Sequence, residues 1–217
     1  SFSFIEPSEA KAWVDDYYST ICSEACVPAG FALNANLAVV MPFMCHRDEE
    51  EALRRGLDGG HFFGYSLGHY YAFGSHRPGQ TNVWEEFCAN RSLFGFDRDV
   101  ASRTGEPLGA KLMEEGLGSL RGAIGTPDQI RQLLSSYAEA GVDQVIFVSQ
   151  AGRNRHEDIC ESMELFAAEV LDDVHSGEDQ RERAKAERLA PAIEAALDRR
   201  EPPREPPDYS FDAAAAV

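Results

Sequence analysis

The period of apolar and polar positions changes several times along the chain, and each change marks an element. Ile130, Leu133, Leu134, Tyr137 and Ala138 recur at helical spacing, which predicts a helix of about four turns. Its start is marked by Gly125-Thr126-Pro127-Asp128-Gln129. Thr126 offers a capping hydroxyl, Pro127 suits the first helical position, and Gln129 stands where a capping box needs it. Gly141 lies where a left-handed cap would end the helix. Val142 and then Val145-Ile146-Phe147-Val148 form a short β-branched run, predicted as a strand covered on both faces in a parallel sheet. A second helix follows, with Ile159, Met163, Phe166, Ala167, Val170 and Leu171 on its inner face.

The same alternation appears earlier. Phe2-Ser3-Phe4-Ile5 reads as the end of a strand, and Ser8 as the cap of a helix that buries Ala10, Trp13, Val14, Tyr17 and Ile21. Leu33 through Phe43 contains Leu37-Ala38-Val39-Val40-Met41, dense enough for an interior strand. Pro42 has no N–H for a ladder, so it is expected at the strand's end or at a bulge. Asp48 and Glu51 open another helix, through Ala52, Leu53 and Leu57. Alternating strands and helices predict an α/β protein, either an open doubly wound sheet or a (β/α)8 barrel, with chemistry at the carboxyl ends of the strands. One such end is Ser149-Gln150-Ala151-Gly152, which reads equally as a plain turn.

From about Gly59 to Gly122 the periodicity weakens and glycines and aromatics accumulate. This is longer than an ordinary connection, so it reads as an insertion before the last strand. Its roles are a lid, an interaction segment, or aromatic packing on the main body. Arg181 to Arg200 forms one charged helix with Leu189, Ile193 and Leu197 along a thin edge. Beyond it, Glu201 to Pro207 is proline-rich and extended, and the last 17 residues are expected to be disordered.

The chain has 217 residues and a net charge of −17, which suits one sizeable core plus a tail. Its basic residues form no stripe, so nucleic acid is not an expected partner. No apolar run approaches the roughly 20 residues that span a bilayer, and the amino terminus carries no secretory pattern. No membrane partner and a cytoplasmic location are therefore expected. Cys22, Cys26, Cys45, Cys88 and Cys160 are an odd set with no CxxC pair, and read as free thiols. Together with His61, His69 and His76 they match no ligand spacing, so no metal is expected. Cys45 beside His46 is a conceivable nucleophile, against the alternative of a buried inert thiol.

Three strings, Ile124-Gly125-Thr126-Pro127-Asp128-Gln129-Ile130, Ala140-Gly141-Val142-Asp143-Gln144-Val145 and Ser162-Met163-Glu164-Leu165-Phe166-Ala167-Ala168-Glu169-Val170, have a shared order and spacing. With them the chain resembles the carboxyl-terminal end of the bacterial luciferase-like flavin monooxygenases. Phe2 to Ile21 is similar to the family's sixth strand and helix, Leu33 to Cys45 to its seventh strand, and Asp48 to Tyr71 to its seventh helix. The resemblance covers roughly residues 1 to 175, with residues 73–122 as the insertion and residues 176–217 as a separate charged and proline-rich tail.

The resemblance implies the carboxyl-terminal portion of a (β/α)8 TIM barrel. It also implies reduced FMN, supplied by a flavin reductase, and oxygenation of a small organic substrate with O2. Coenzyme F420 and hydride transfer are the alternative within the fold. A non-catalytic remnant acting as a binding or assembly subunit is the alternative outside enzymology. Trp84 in Thr81-Asn82-Val83-Trp84-Glu85-Glu86-Phe87 resembles a family tryptophan near the flavin ring, and otherwise reads as a tryptophan that packs the lid. Phe43, Cys45, Ser149 and Gln150 are expected as walls of a substrate pocket. No general base can be named, because the family's early strands would hold it. Three strand-like runs cannot close a barrel. A fragment is therefore expected, whose remainder comes from an amino-terminal half or another subunit.

Overall fold

The computed structural model describes residues 2–3, 5–93, 96 and 121–200. Four parallel strands form an open sheet: β1 (Phe2–Ser3), β2 (Ala38–Cys45), β3 (Ala123–Gly125) and β4 (Gln144–Val148). β2 is the central strand. β1 and β4 both pair with Val39 and Val40 and so take its two edges, whereas β3 joins further on, at Phe43 to Cys45. The chain is thus an α/β protein with an open parallel sheet.

The helices are α1 (Pro7–Ile21), α2 (Glu49–Gly68), α3 (Val83–Asn90), α4 (Pro127–Ala140), α5 (His156–Glu169), α6 (Leu171–His175) and α7 (Glu178–Asp198), with a π-helical turn over His69–Phe73. Side chains alternate across β2. Val39, Met41, Phe43 and Cys45 face a core built with α1, α4 and α7, while Met44 faces Ala52 of α2, Ile124 of β3 and Ile159 of α5. Leu189 of α7 is 1% exposed in the first of these cores, so the charged helix is pinned along one edge.

Several expectations are corrected. The cap of α1 is Glu6, not Ser8: Glu6 and Glu9 form a reciprocal capping box and Pro7 takes the first helical position. Trp13 is 48% exposed, and α1 instead buries Ala10, Val14, Tyr18 and Ile21. β2 starts at Ala38 and runs past Phe43 to Cys45, with Pro42 inside it opposite Val148. The proline is tolerated because the β4 ladder uses the backbone of Leu37, Val39 and Met41 on one edge. On the other edge Pro42 falls between the residues that pair with β1 and those that pair with β3. β4 is not covered on both faces; Ile146 is 40% exposed. Met163 of α5 is likewise 54% exposed instead of buried.

The supposed start of the insertion is helix. α2 continues through Gly59 and Gly60 to Gly68 because these small residues let it lie close to its neighbours. A Cβ on Gly56 would stand 2.5 Å from Met44 Cβ, and one on Gly59 2.8 Å from Ala151 O. Some of the aromatics here build a second core, in which Tyr65, Phe87 and Phe96 are buried with Leu57 and Val83 and surrounded by Phe62, Phe63 and Trp84, whereas Tyr70 and Tyr71 are exposed. The rest of the insertion, 97–120, and the final residues expected to be disordered lie outside the described residues.

Candidate functional site

The carboxyl end of β4 runs into a loop that α2 and α3 close from above. α3 begins at Asn82, whose side chain accepts the Glu85 N–H at 3.3 Å, and this cap sets Trp84 on the first turn. Trp84 packs edge-on against Phe62 of α2 at 5.1 Å and tilts against Phe87 at 5.5 Å. Its other neighbour is Gly152, in the left-handed region at φ 60°. A Cβ there would stand 2.6 Å from Trp84 Cζ3. The Arg153 guanidinium lies 5.4 Å from the indole centroid, within cation–π range. Asn154 braces the loop by donating Nδ2–H to Ser149 O at 2.9 Å.

Trp84 and Ser149 are therefore brought into one loop cluster, and Gln150 is exposed beside it. Phe43 and Cys45 are not part of it. Phe43 is 3% exposed and stacks on Phe147 at 4.3 Å, with Phe166 edge-on at 5.4 Å. Its side chain lies on the face of β2 that packs against helices. Cys45 is buried, and its backbone N–H donates to Ser162 Oγ at 2.6 Å. Burial, reinforced by the Glu169 carboxylate, pushes its thiol up to about 11, which opposes a nucleophilic thiolate at neutral pH. Sequence reasoning reached Gly152 only as the last residue of a strand end or plain turn, and passed over Arg153 and Asn154. The signal was a basic run, Arg153-Asn154-Arg155-His156, in a strongly acidic chain.

Replacing Gly152 with valine strains a left-handed residue and drives a branched side chain into Trp84. We expect Gly152→Val to move the indole and shift tryptophan emission to the red, with Trp13→Phe as background to isolate Trp84. Unchanged emission would show that Gly152 does not hold the ring.

A second polar group sits on the opposite side of α3. Glu86 Oε1 accepts the Tyr65 hydroxyl at 2.8 Å and lies 3.1 Å from His69 Nδ1. Tyr65 holds the Glu86 carboxyl below its usual range, and burial followed by that carboxylate raises the Tyr65 phenol. His69 is buried on the π-helical turn, and its Nε2 has no hydrogen-bond partner among the described residues.

Among the described residues no group of three or more His, Cys, Asp or Glu side chains is arranged to hold a metal ion, and no helix is long and apolar enough to cross a membrane. No family model matches the chain, and neither a curated protein nor a solved structure matches it.

Proposed function

We propose that the chain is the carboxyl-terminal part of a luciferase-like, flavin-dependent monooxygenase, and that it contributes one wall of a site completed by another polypeptide. The observation that carries this reading is the position of Trp84. It stands against Gly152 at the carboxyl end of a parallel strand, the end at which ligands of α/β sheets sit. The residues there suit a flavin. The indole offers an edge or face to an isoalloxazine ring, and Arg153 beside it supplies positive charge for an anionic group. Bound reduced FMN would supply the oxygen chemistry. The chain's own part is to orient the ring through Trp84 and to keep water from it with Phe62 and Phe87. The open sheet supports the further view that the remaining contacts come from outside the described strands.

The test is a titration of the chain with reduced FMN under anaerobic conditions, read by Trp84 emission, alone and with a cognate amino-terminal half. We expect weak binding by the chain alone and quenching on completion, lost in Trp84→Phe. Tight binding by the chain alone would sink the claim that the site is shared. Oxygen consumption by the completed protein separates FMN oxygenation from F420-linked hydride transfer. If neither activity appears, the open sheet edge favours the reading as an assembly subunit.

A further inference from the structure

Among the described residues β4 pairs along one edge only, with β2. Gln144 N–H donates to Leu37 O at 3.3 Å, and the register runs without a break from Ala38 opposite Gln144 to Pro42 opposite Val148. Gln144, Ile146 and Val148 therefore direct their backbone groups toward β2. Val145 and Phe147 turn theirs outward, where among the described residues no strand meets them. Such an edge is a template for another strand. Two further observations point the same way. On one face of the edge lies an open, mostly apolar cleft of about 470 Å³, walled by Leu134, Tyr137, Val145, Phe147, Phe166 and Val174. On the opposite face Ile146 is 40% exposed. Apolar surface on both faces of an unpaired backbone fits an extended segment, which brings donors and acceptors for the edge and side chains for the faces.

We propose that the occupant is β4 of a second copy of this chain, paired antiparallel about a two-fold axis at Ile146. The strand is self-complementary in that arrangement. Val145 of one copy lies opposite Phe147 of the other, and both present outward backbone groups, so the central hydrogen bonds form reciprocally. Ile146 meets Ile146 on the other face. Gln144-Val145-Ile146-Phe147-Val148 carries no charge, so no like pair is forced together at the axis. Two other segments of the sequence have compositions that do not favour such a strand: residues 97–120 contain one aliphatic β-branched residue, Val100, and residues 201–217 contain four prolines. The two four-stranded sheets become one continuous sheet. With −17 on each chain, long-range repulsion opposes the pair, so added salt tightens it, the reverse of an interface held by salt bridges. This inference does not rest on the flavin reading. An amino-terminal polypeptide that extended the sheet at β4 would compete for the same edge, so the test uses the present chain alone.

Sedimentation equilibrium of the full chain should give a dimer that dissociates on dilution and tightens between about 0.05 and 0.5 M NaCl. Two variants act on different parts of the contact. Val145→Pro removes an outward N–H and leaves the ladder to β2 intact. Ile146→Glu places two carboxylates on the axis without touching the backbone. Each should weaken dimerisation at least about tenfold, with helical circular dichroism unchanged; if one variant fails to fold, the other decides. A chain that stays monomeric at about 100 µM in 0.5 M NaCl, a dimer that persists in the folded variants, or an assembly that grows beyond two copies would overturn the proposal.

Discussion

Asp143→Ala should lower the unfolding free energy by about 3–5 kcal/mol, the range expected when one member of a buried charged network is removed. The carboxylate is 9% exposed and sits just beyond the C-cap of α4. Its Oδ2 accepts the Tyr18 hydroxyl at 2.5 Å and the Leu37 N–H at 2.7 Å, and its Oδ1 accepts Lys185 Nζ at 2.9 Å. One side chain thus ties α1, the entry to β2 and α7 to the start of β4. Alanine would leave a backbone donor, a phenol and an ammonium without this acceptor in a partly buried place, and each loss carries a desolvation penalty. Burial works against the Lys185 ammonium, but Glu182 and Asp143 outweigh it and hold its pKa above the usual value. Asp143→Asn keeps an acceptor without the charge and should lose less. Urea unfolding of the three proteins measures both differences. A loss below about 1 kcal/mol for the alanine variant would show that water replaces the carboxylate.

Alkaline solution should unfold the protein steeply above about pH 9–10, because four buried acids resist ionising in the fold. Burial is the first cause for each. Asp143 adds to it for Tyr18, Glu86 for Tyr65, the charges of Glu6 and Glu9 for Tyr137, and Glu169 for Cys45. All four folded values lie above their ordinary ones, so the folded chain holds more protons than the unfolded chain in this range. The stability they contribute is complete below the unfolded values, 9 for the thiol and 10 for the phenols, and is lost as pH rises through the folded ones. Each group contributes a slope of up to about 1.4 kcal/mol per pH unit. Urea midpoints from pH 8 to 11 test this, with phenolate absorbance at 295 nm recorded in parallel. A step in absorbance coincident with loss of helix is expected; midpoints level across the range would refute it.

The parts of this fold that could be read in the sequence are those held by neighbours in the chain. Thr126 Oγ1 accepts the Gln129 N–H at 3.4 Å, Gln129 Oε1 accepts the Thr126 N–H at 2.9 Å, and Gly141 closes α4 at φ 90°. Asp48 accepts the Glu51 N–H at 2.9 Å in the same manner. Mistakes came where a distant partner decides. Gly59 looked like the point where helical order gives way, yet like Gly56 it marks where α2 presses against β2 or the β4 loop. β3 has only three residues, too few for any period to register, and is a strand because β2 lies beside it. Phe43 looked like a pocket wall from its place near a strand end, but its parity on β2 turns it toward Phe147 and Phe166. Of the candidate site, Trp84 and Ser149 were legible as single residues. Their meeting through Gly152 and Asn154 was not, because Trp84 and Ser149 lie 65 residues apart in the chain.

By itself the sequence determined the caps of α2 and α4, the main helical face of α4, the β character of β2 and β4, and the acidic surface. All of these depend on interactions within a turn or two of the same segment, or on composition alone. The tertiary structure decided which strands lie side by side, which glycines are close contacts, and that among the described residues no strand pairs with the second edge of β4. The strand pairings join residues from 37 apart, Phe2 with Val39, to 106 apart, Ala38 with Gln144, and their register is selected only when both partners and the helices covering them are present together.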